Sequence, residues 1–131
     1  MSSFKQHVGV ITGGNSGIGL GMGRGLAKAG AAVAIWARNE DKNRRAVEEL
    51  EALGARAEAF VCDVTEEETV VSAMKTTVER FGHVDSCFAN AGGSMHKPFV
   101  ETTLAEWDAV TRTNLTSVFL TFREAAKQMI E

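Results

Sequence analysis

The chain has 131 residues, of which 44% are hydrophobic and 24% are charged, so it can form one domain with a substantial core. The formal net charge is −3 and no basic cluster stands out, which argues against nucleic-acid binding. The amino-terminal segment lacks the apolar run of a signal peptide, and no apolar stretch approaches membrane-spanning length. We therefore expect a cytoplasmic protein without a membrane partner.

The first predicted elements are a strand and a helix joined by a glycine-rich turn. Residues 8–11 form a short apolar run, and residues 12–19 follow with the spacing G-x-x-x-G-x-G. Glycines in such a turn permit positive φ and let the backbone approach a bulky anion. The free N–H groups and the dipole at the helix start favour a phosphate. A turn without a ligand is the alternative, and the flanking strand and helix favour the phosphate site.

The next elements continue the alternation of helix and strand. Ile18, Met22 and Leu26 recur every four residues and predict one apolar face of the first helix, which ends at Gly30. Residues 31–37 are continuously apolar, as in a strand that is buried on both faces. The apolar positions of the second predicted helix are Ala46, Val47, Leu50 and Leu53, with Gly54 as its C-cap.

Two more strands and further helices follow. Residues 57–62 and 83–89 predict the third and fourth strands, and capping-box spacing at Thr65–Glu68 and Thr103–Glu106 predicts two helix starts. A last helical segment reaches the end of the chain. Strands that alternate with helices of this length predict a doubly wound α/β domain over residues 1–131, with a parallel sheet in the order 3-2-1-4.

The cysteines and histidines give no sign of a metal site. Cys62 and Cys87 lie in apolar runs without C-x-x-C spacing, which favours buried free thiols over a disulfide or metal ligands. No His/Cys/Asp grouping has the spacing of a zinc site. We therefore predict no bound metal.

Four motifs together resemble the amino-terminal half of the short-chain dehydrogenase/reductase family. They are Thr12-Gly13-x-x-x-Gly17-Ile18-Gly19, then Asp63-Val64, then Asn90-Ala91-Gly92, and then Asn114. The resemblance extends from about residue 5 to the end of the chain. It implies a Rossmann-type sheet that binds NAD(H) or NADP(H), and an activity that oxidises alcohols or reduces carbonyl compounds by hydride transfer.

The resemblance also implies a role for each matching residue. The turn around the pyrophosphate and adjoining ribose would consist of Gly13, Asn15, Ser16, Gly17, Ile18 and Gly19. A larger residue at Gly17 is expected to block the pyrophosphate and to crowd the helix against the sheet.

Two later segments would hold the two ends of the dinucleotide. Asp63 would contact the exocyclic amine of adenine and Val64 would donate a backbone N–H, although Asp63 has a helix-capping carboxylate as its alternative. The segment that consists of Asn90, Ala91 and Gly92 would hold the central sheet together and line the nicotinamide ribose.

Asn114 would be the first member of an Asn-Ser-Tyr-Lys catalytic set, in which it anchors a proton-relay water. An Asn within a helix is unfavourable, because its amide competes for backbone groups. An exposed polar residue is the alternative, and the matching pattern around Asn114 favours the functional interpretation.

The other members of this catalytic set are not present in the sequence. The chain contains no tyrosine, and Ser117 and Lys127 both precede the strand that should carry the serine. We therefore expect that the chain is truncated before the catalytic Ser/Tyr/Lys region, and that the 131-residue chain alone is inactive.

Two functions remain open on this basis. The first is an NADP-dependent oxidoreductase that transfers a hydride between NADP(H) and a small alcohol or carbonyl substrate. The second is a non-catalytic dinucleotide-binding or protein-interaction module.

The end of the second strand indicates the preferred cofactor. Strands at this place in NAD-binding folds end near an acidic residue that binds the ribose 2′-hydroxyl. Here Ala37 occupies that position and Arg38 and Asn39 follow. Because an Arg can bind a 2′-phosphate with two charged hydrogen bonds, NADP is predicted rather than NAD, with a solvent-facing Arg as the alternative.

The last helices carry more large apolar residues than one helix face can bury. They are Trp107, Val110, Leu115, Val118, Phe119 and Phe122. We expect some of them to form the interface of a homodimer or homotetramer. Cover by further residues of a longer chain is the alternative.

Overall fold

A computed structural model describes residues 3–130, which form four strands alternating with helices on both sides of a sheet. The strands are β1 (Val8–Thr12), β2 (Ala32–Ala37), β3 (Ala57–Val61) and β4 (Ser86–Phe88). The helices are α1 (Gly17–Lys28), α2 (Glu40–Ala52), α3 (Glu67–Phe81), α4 (Leu104–Thr111) and α5 (Ser117–Ile130). A short 3₁₀ turn (Phe99–Glu101) precedes α4, and a π-helical segment (Arg112–Thr116) joins α4 to α5.

The sheet is parallel throughout and its strand order is β3-β2-β1-β4. The register pairs Val8 with Ala32 and Gly9 with Ser86, so the carboxyl ends of all four strands meet at one edge. The α/β fold class and the 3-2-1-4 order predicted from the sequence are confirmed.

The core lies in two layers, one on each face of the sheet. Consecutive residues of a strand point to opposite faces, so Val10 and Trp36 pack with α3 and α5 whereas Ile11 and Ile35 pack with α1 and α2. The fully buried Trp36 indole donates to the Thr77 hydroxyl at 3.0 Å, which satisfies the polar atoms of both side chains. Both faces of the central strands are therefore closed to water.

The buried face of α1 differs from the predicted one. Ile18 is 76% exposed, and Met22 and Leu26 are only partly buried. The buried residues of α1 are Gly19, Leu20, Gly23 and Ala27. Met22 and Leu26 still pack against the core, whereas Ile18, in the first turn of α1, borders the open cleft at the carboxyl ends of the strands.

The predicted helix start at Thr65 is wrong in its details, whereas the one at Thr103 is confirmed. The residue that precedes α3 is Glu66, which makes no side-chain capping bond. Thr65 does not cap the helix, because it lies one residue too early and its hydroxyl donates to Asp63. At α4 the Thr103 hydroxyl accepts from the backbone N–H of Glu106 at 3.2 Å, as a capping box requires.

The fourth strand is much shorter than the predicted residues 83–89. At its start, the Val8 N–H donates to the Asp85 carboxylate at 2.7 Å, so a side chain replaces one ladder bond. At its end, the Asn90 N–H turns back to the Phe88 carbonyl at 2.9 Å. These two contacts limit β4 to three residues.

Both cysteines are free, as the sequence predicts. Burial raises the pKa of the Cys87 thiol to about 12 and also raises the pKa of Cys62, so neither thiol ionises at neutral pH. Within residues 3–130 there is no group of three or more His, Cys, Asp or Glu side chains arranged to hold a metal ion. None of the helices described is long and apolar enough to cross a membrane.

Two leucines, one within α2 and one directly after its end, provide a direct test of the core. Leu50 is fully buried against the sheet, whereas Leu53, one turn later, is 40% exposed. We expect Leu50→Ala to lower the free energy of unfolding by about 2–5 kcal/mol because it removes packed methyl groups and leaves a cavity. The matched change Leu53→Ala should cost less than about 1 kcal/mol. Urea unfolding followed by circular dichroism measures both, and equal losses would contradict this placement of α2.

Candidate functional site

A cleft of about 820 Å³ opens at the carboxyl ends of the strands. Of the residues predicted to bind a cofactor, all but Gly19 line it. They are Gly13, Asn15, Ser16, Gly17, Ile18, Arg38, Asn39, Asp63, Val64, Asn90, Ala91 and Gly92. This edge of an open parallel sheet is where ligands bind in such folds.

The glycine turn between β1 and α1 forms the floor of the cleft. Gly13 and Gly17 have φ values of +64° and +52°, which side-chain-bearing residues rarely adopt. Ser16, which precedes α1, makes no side-chain capping bond, so the first N–H groups of the helix stay available to a ligand. A turn of this shape fits an anionic group such as a pyrophosphate.

Gly17 and Gly19 have different roles in this turn. A Cβ atom on Gly17 would meet no other atom within 4 Å, so the expectation that a larger residue would crowd the helix against the sheet is wrong for this position. A Cβ on Gly19 would overlap the Gly13 carbonyl oxygen and lie 2.6 Å from the Asn90 amide nitrogen. A larger residue would therefore crowd the helix against the sheet at Gly19, whereas Gly17 borders the open cleft.

The segment after β4 is bonded directly to the glycine turn. The Asn90 amide donates to the carbonyls of Thr12 and Gly13 at 3.2 and 3.4 Å. The Ala91 N–H donates to the Thr12 hydroxyl at 2.9 Å. These bonds join the ends of β1 and β4 and hold one wall of the cleft in place.

Asp63 lies at the opposite wall, just beyond β3. Its carboxylate accepts from the hydroxyl and the backbone N–H of Thr65 at 2.6 and 3.0 Å. These hydrogen bonds, with smaller contributions from the charges of Arg38 and Arg112, hold the pKa of Asp63 below its ordinary value of 3.8. Asp63 does not cap α3, and it carries a full negative charge at neutral pH.

The basic side chains of the cleft lie where β2 ends and α2 begins. Arg38 is exposed and lines the cleft, and the Asn39 side chain caps α2 by accepting from the Lys42 N–H at 2.9 Å. Lys42 also lines the cleft, although the sequence analysis did not single it out. Its spacing of four residues from Arg38 is the signal that would have identified it.

Asn114 lies in the π-helical segment and its side chain is fully engaged. Its amide oxygen accepts from the Gly93 N–H at 3.0 Å, and its nitrogen donates to the carbonyls of Gly93 and Val110 at 2.8 and 3.0 Å. The Val110 carbonyl, four residues earlier, is a backbone acceptor of the helix. By donating to it, the Asn114 side chain competes with backbone N–H groups, as an Asn within a helix can do. Asn114 is exposed and does not line the cleft, although its neighbour Thr113 does.

Sequence analysis missed one buried polar residue next to the site. Asn43 lies on the inner face of α2, where it donates to the Ala37 carbonyl at 2.9 Å and accepts from the Asn15 amide at 3.0 Å. The signal was available, since Asn43 precedes Leu50 by seven residues and so falls on the same face of the helix.

Comparison with known proteins agrees with this geometry. The family model for short chain dehydrogenases matches residues 7–131. The chain belongs to the short-chain dehydrogenase/reductase family. The A-factor type gamma-butyrolactone 1′-reductase (1S-forming) of Streptomyces virginiae is 38% identical over 124 residues, which are 94% of this chain and 48% of that relative.

Solved structures of the family superpose closely on the chain. A short-chain type dehydrogenase/reductase from Mycobacterium marinum has a TM-score of 0.95 at 31% identity, over 99% of this chain and 55% of that one. An actinorhodin polyketide ketoreductase variant with NADPH has a TM-score of 0.91 at 34% identity, and the match covers 98% of this chain and 49% of that one. An NAD⁺-bound xylitol dehydrogenase has a TM-score of 0.94 at 31% identity, and the match covers 98% of this chain and 50% of that one. The chain spans about half the length of the curated relatives it matches.

The two glycines of the turn separate ligand binding from folding. Gly17→Val should cost some stability, because a β-branched residue is strained at φ +52°, but its Cβ meets no other atom, so we expect the protein to stay folded at low temperature. Dinucleotide binding should weaken by about tenfold or more as N–H contacts are lost. Gly19→Val should instead lower the melting temperature strongly, because the new side chain overlaps the Gly13 carbonyl. Calorimetric titration and thermal unfolding of both variants measure the two effects. A folded Gly17→Val protein with unchanged affinity would argue against this site.

Proposed function

We propose that the cleft binds NADP(H) and that the chain serves as the dinucleotide-binding part of an oxidoreductase acting on small alcohols or carbonyl compounds. The observation that carries the proposal is the convergence of the glycine turn, the basic end of β2 and the charged Asp63 on one cleft. Membership of a family of dehydrogenases and reductases supports the class of reaction.

The groups lining the cleft match the parts of a dinucleotide in order. The turn from Gly13 to Gly19 and the start of α1 would bind the pyrophosphate and adjoining ribose through backbone N–H groups. Asp63, whose pKa is lowered, would accept from the adenine amine and Val64 would donate a backbone N–H. The wall formed by Asn90–Gly92 would lie along the nicotinamide ribose.

The charge at the end of β2 favours the phosphorylated cofactor. Ala37 offers no carboxylate for a ribose 2′-hydroxyl, whereas Arg38 and Lys42 both line the cleft there. A 2′-phosphate would gain charge-assisted hydrogen bonds from both. The neighbour with NADPH agrees with this assignment, although another neighbour binds NAD⁺, so the residues of this chain carry the argument.

A bound nicotinamide ring would supply or accept the hydride, and residues of this chain would orient the ring. Asn114 would act at that end, as a member of the catalytic set that the family resemblance implies. Its amide holds both backbone groups of Gly93, so it fixes the loop that follows the nicotinamide wall. We assign no proton transfer to a residue of this chain, because no tyrosine is present among the 131 residues.

Replacement of Arg38 tests the cofactor preference. In the full-length protein, Arg38→Ala should weaken NADPH binding by about 10- to 100-fold, because a charged hydrogen-bonding partner of the 2′-phosphate is lost. NADH binding should change little. Arg45→Ala is the matched control, since Arg45 is an exposed arginine of α2 that does not line the cleft. Fluorescence titration with both cofactors measures the selectivity, and equal affinities in the unmodified protein would refute the NADP assignment.

Dinucleotide binding without turnover of any carbonyl compound would favour the non-catalytic module.

Exposed apolar residues on the last helices support a homodimer or homotetramer. Leu115 and Phe119 are 66% and 58% exposed, and Trp107 and Phe122 are also exposed. We expect the double change Leu115→Glu and Phe119→Glu to dissociate the oligomer while circular dichroism stays unchanged, because charges cannot be buried unpaired in an interface. Leu53→Glu, at an exposed position directly after α2, serves as the control. Light scattering at micromolar concentration measures the mass, and a monomer before any substitution would reject the interface and favour cover by residues of the same chain.

A further inference from the structure

A hydrogen-bond chain links three segments of the proposed cofactor site, and one side chain of α2 forms two of its bonds. The Asn15 amide donates to the Asn43 oxygen at 3.0 Å, and the Asn43 amide donates to the Ala37 carbonyl at 2.9 Å. The same carbonyl also accepts from the Cys62 N–H at 3.3 Å. Asn15 belongs to the glycine turn, Ala37 precedes Arg38, and Cys62 precedes Asp63.

The position of Asn43 makes these bonds more than ordinary helix packing. Asn43 is 4% exposed and lies on the face of α2 that Ala46 and Leu50 bury against the sheet. An amide in such a place is costly unless its polar atoms are satisfied. Both of the recorded side-chain bonds of Asn43 leave its own helix, one to the glycine turn and one to the end of β2. A leucine of similar volume would fill the same space and make neither bond.

The chain of bonds fixes how far apart the contact groups of the cleft lie. Asn15, Arg38 and Asp63 line the cleft from three separate segments, whereas Asn43 does not line it. The spacing of these segments must match the pyrophosphate, the 2′-phosphate and the adenine of one ligand. A site held at its productive spacing before binding loses less entropy when the ligand arrives.

We propose that Asn43 is a positioning residue that sets the spacing of the adenosine half of the cofactor site. This inference rests on the proposed function of the cleft. Asn43 acts through Asn15 and Ala37 and touches no ligand. Replacement of Asn43 therefore weakens the binding of every ligand that carries the adenosine half. It does so although every group that contacts the ligand is still present.

The first test replaces Asn43 with an apolar residue of similar size in the full-length protein. Asn43→Leu should weaken the binding of both NADPH and the fragment adenosine 2′,5′-bisphosphate by about tenfold, because the binding segments lose their fixed spacing. The Asn43→Ala variant, which has a high helix propensity, provides a second measurement if the leucine packs poorly. Calorimetric titration is done at a temperature at which circular dichroism shows each variant folded.

The matched control is another buried polar residue with one side-chain partner. Thr77→Val removes the bond that Thr77 accepts from the Trp36 indole on the other face of the sheet. Trp36 itself lines the cleft, but Thr77 and the rest of α3 do not. It should lower the melting temperature without changing either affinity. If Thr77→Val weakened the fragment as much as Asn43→Leu, the effect of Asn43 would be one of stability alone and the inference would fail.

A double-mutant cycle distinguishes positioning from general destabilisation. Asn15→Ala and Asn43→Leu interrupt the same chain of bonds, so the double variant should bind the fragment only about as weakly as the weaker single variant. Effects that multiply would overturn the inference. Unchanged affinity in folded Asn43→Leu would overturn it too and leave the proposed function intact, whereas a wild-type protein that binds neither ligand would overturn both.

Discussion

The structure of this domain depends on how closely α1 approaches the end of β1. Gly19 lies against the Gly13 carbonyl and the Asn90 amide, in a space that no side chain could share. The approach brings the helix start, the glycine turn and the segment after β4 to one point. Because no side chain caps the first N–H groups of α1, the same contact that packs the helix also presents them to the proposed anion site.

The polar residues around the cleft are held by one another before any ligand binds. Thr65 holds the Asp63 carboxylate, Thr12 holds Ala91, and Asn114 holds Gly93. Each of these bonds joins a side chain to a segment that follows a strand, where the backbone has left the sheet ladder. Rigidity at the site thus comes from short polar contacts rather than from additional secondary structure.

The sequence predicts the architecture well because its signals are local and repeated. Alternating apolar strands and amphipathic helices leave few topologies open, and the glycine turn marks the first crossover. Two of the differences share a cause, which is a partner distant in sequence. The length of β4 depends on a bond between Asp85 and Val8, and the polar bridge at α2 depends on a bond between Asn43 and Asn15. Ile18 is exposed because it lies in the first turn of α1 and lines the cleft, which a count of apolar residues does not detect.

The two tryptophans of the chain lie in opposite environments, and this makes the protein its own spectroscopic reporter. Trp36 is sealed in the core, with its indole N–H bonded to Thr77 and its carbonyl accepting from the Gly13 N–H at 2.8 Å. Trp107 is exposed on α4. The fluorescence of the buried Trp36 lies at shorter wavelength than that of the solvent-exposed Trp107. A quencher dissolved in water reaches Trp107 alone, so a single spectrum separates events in the core from events on the helical surface.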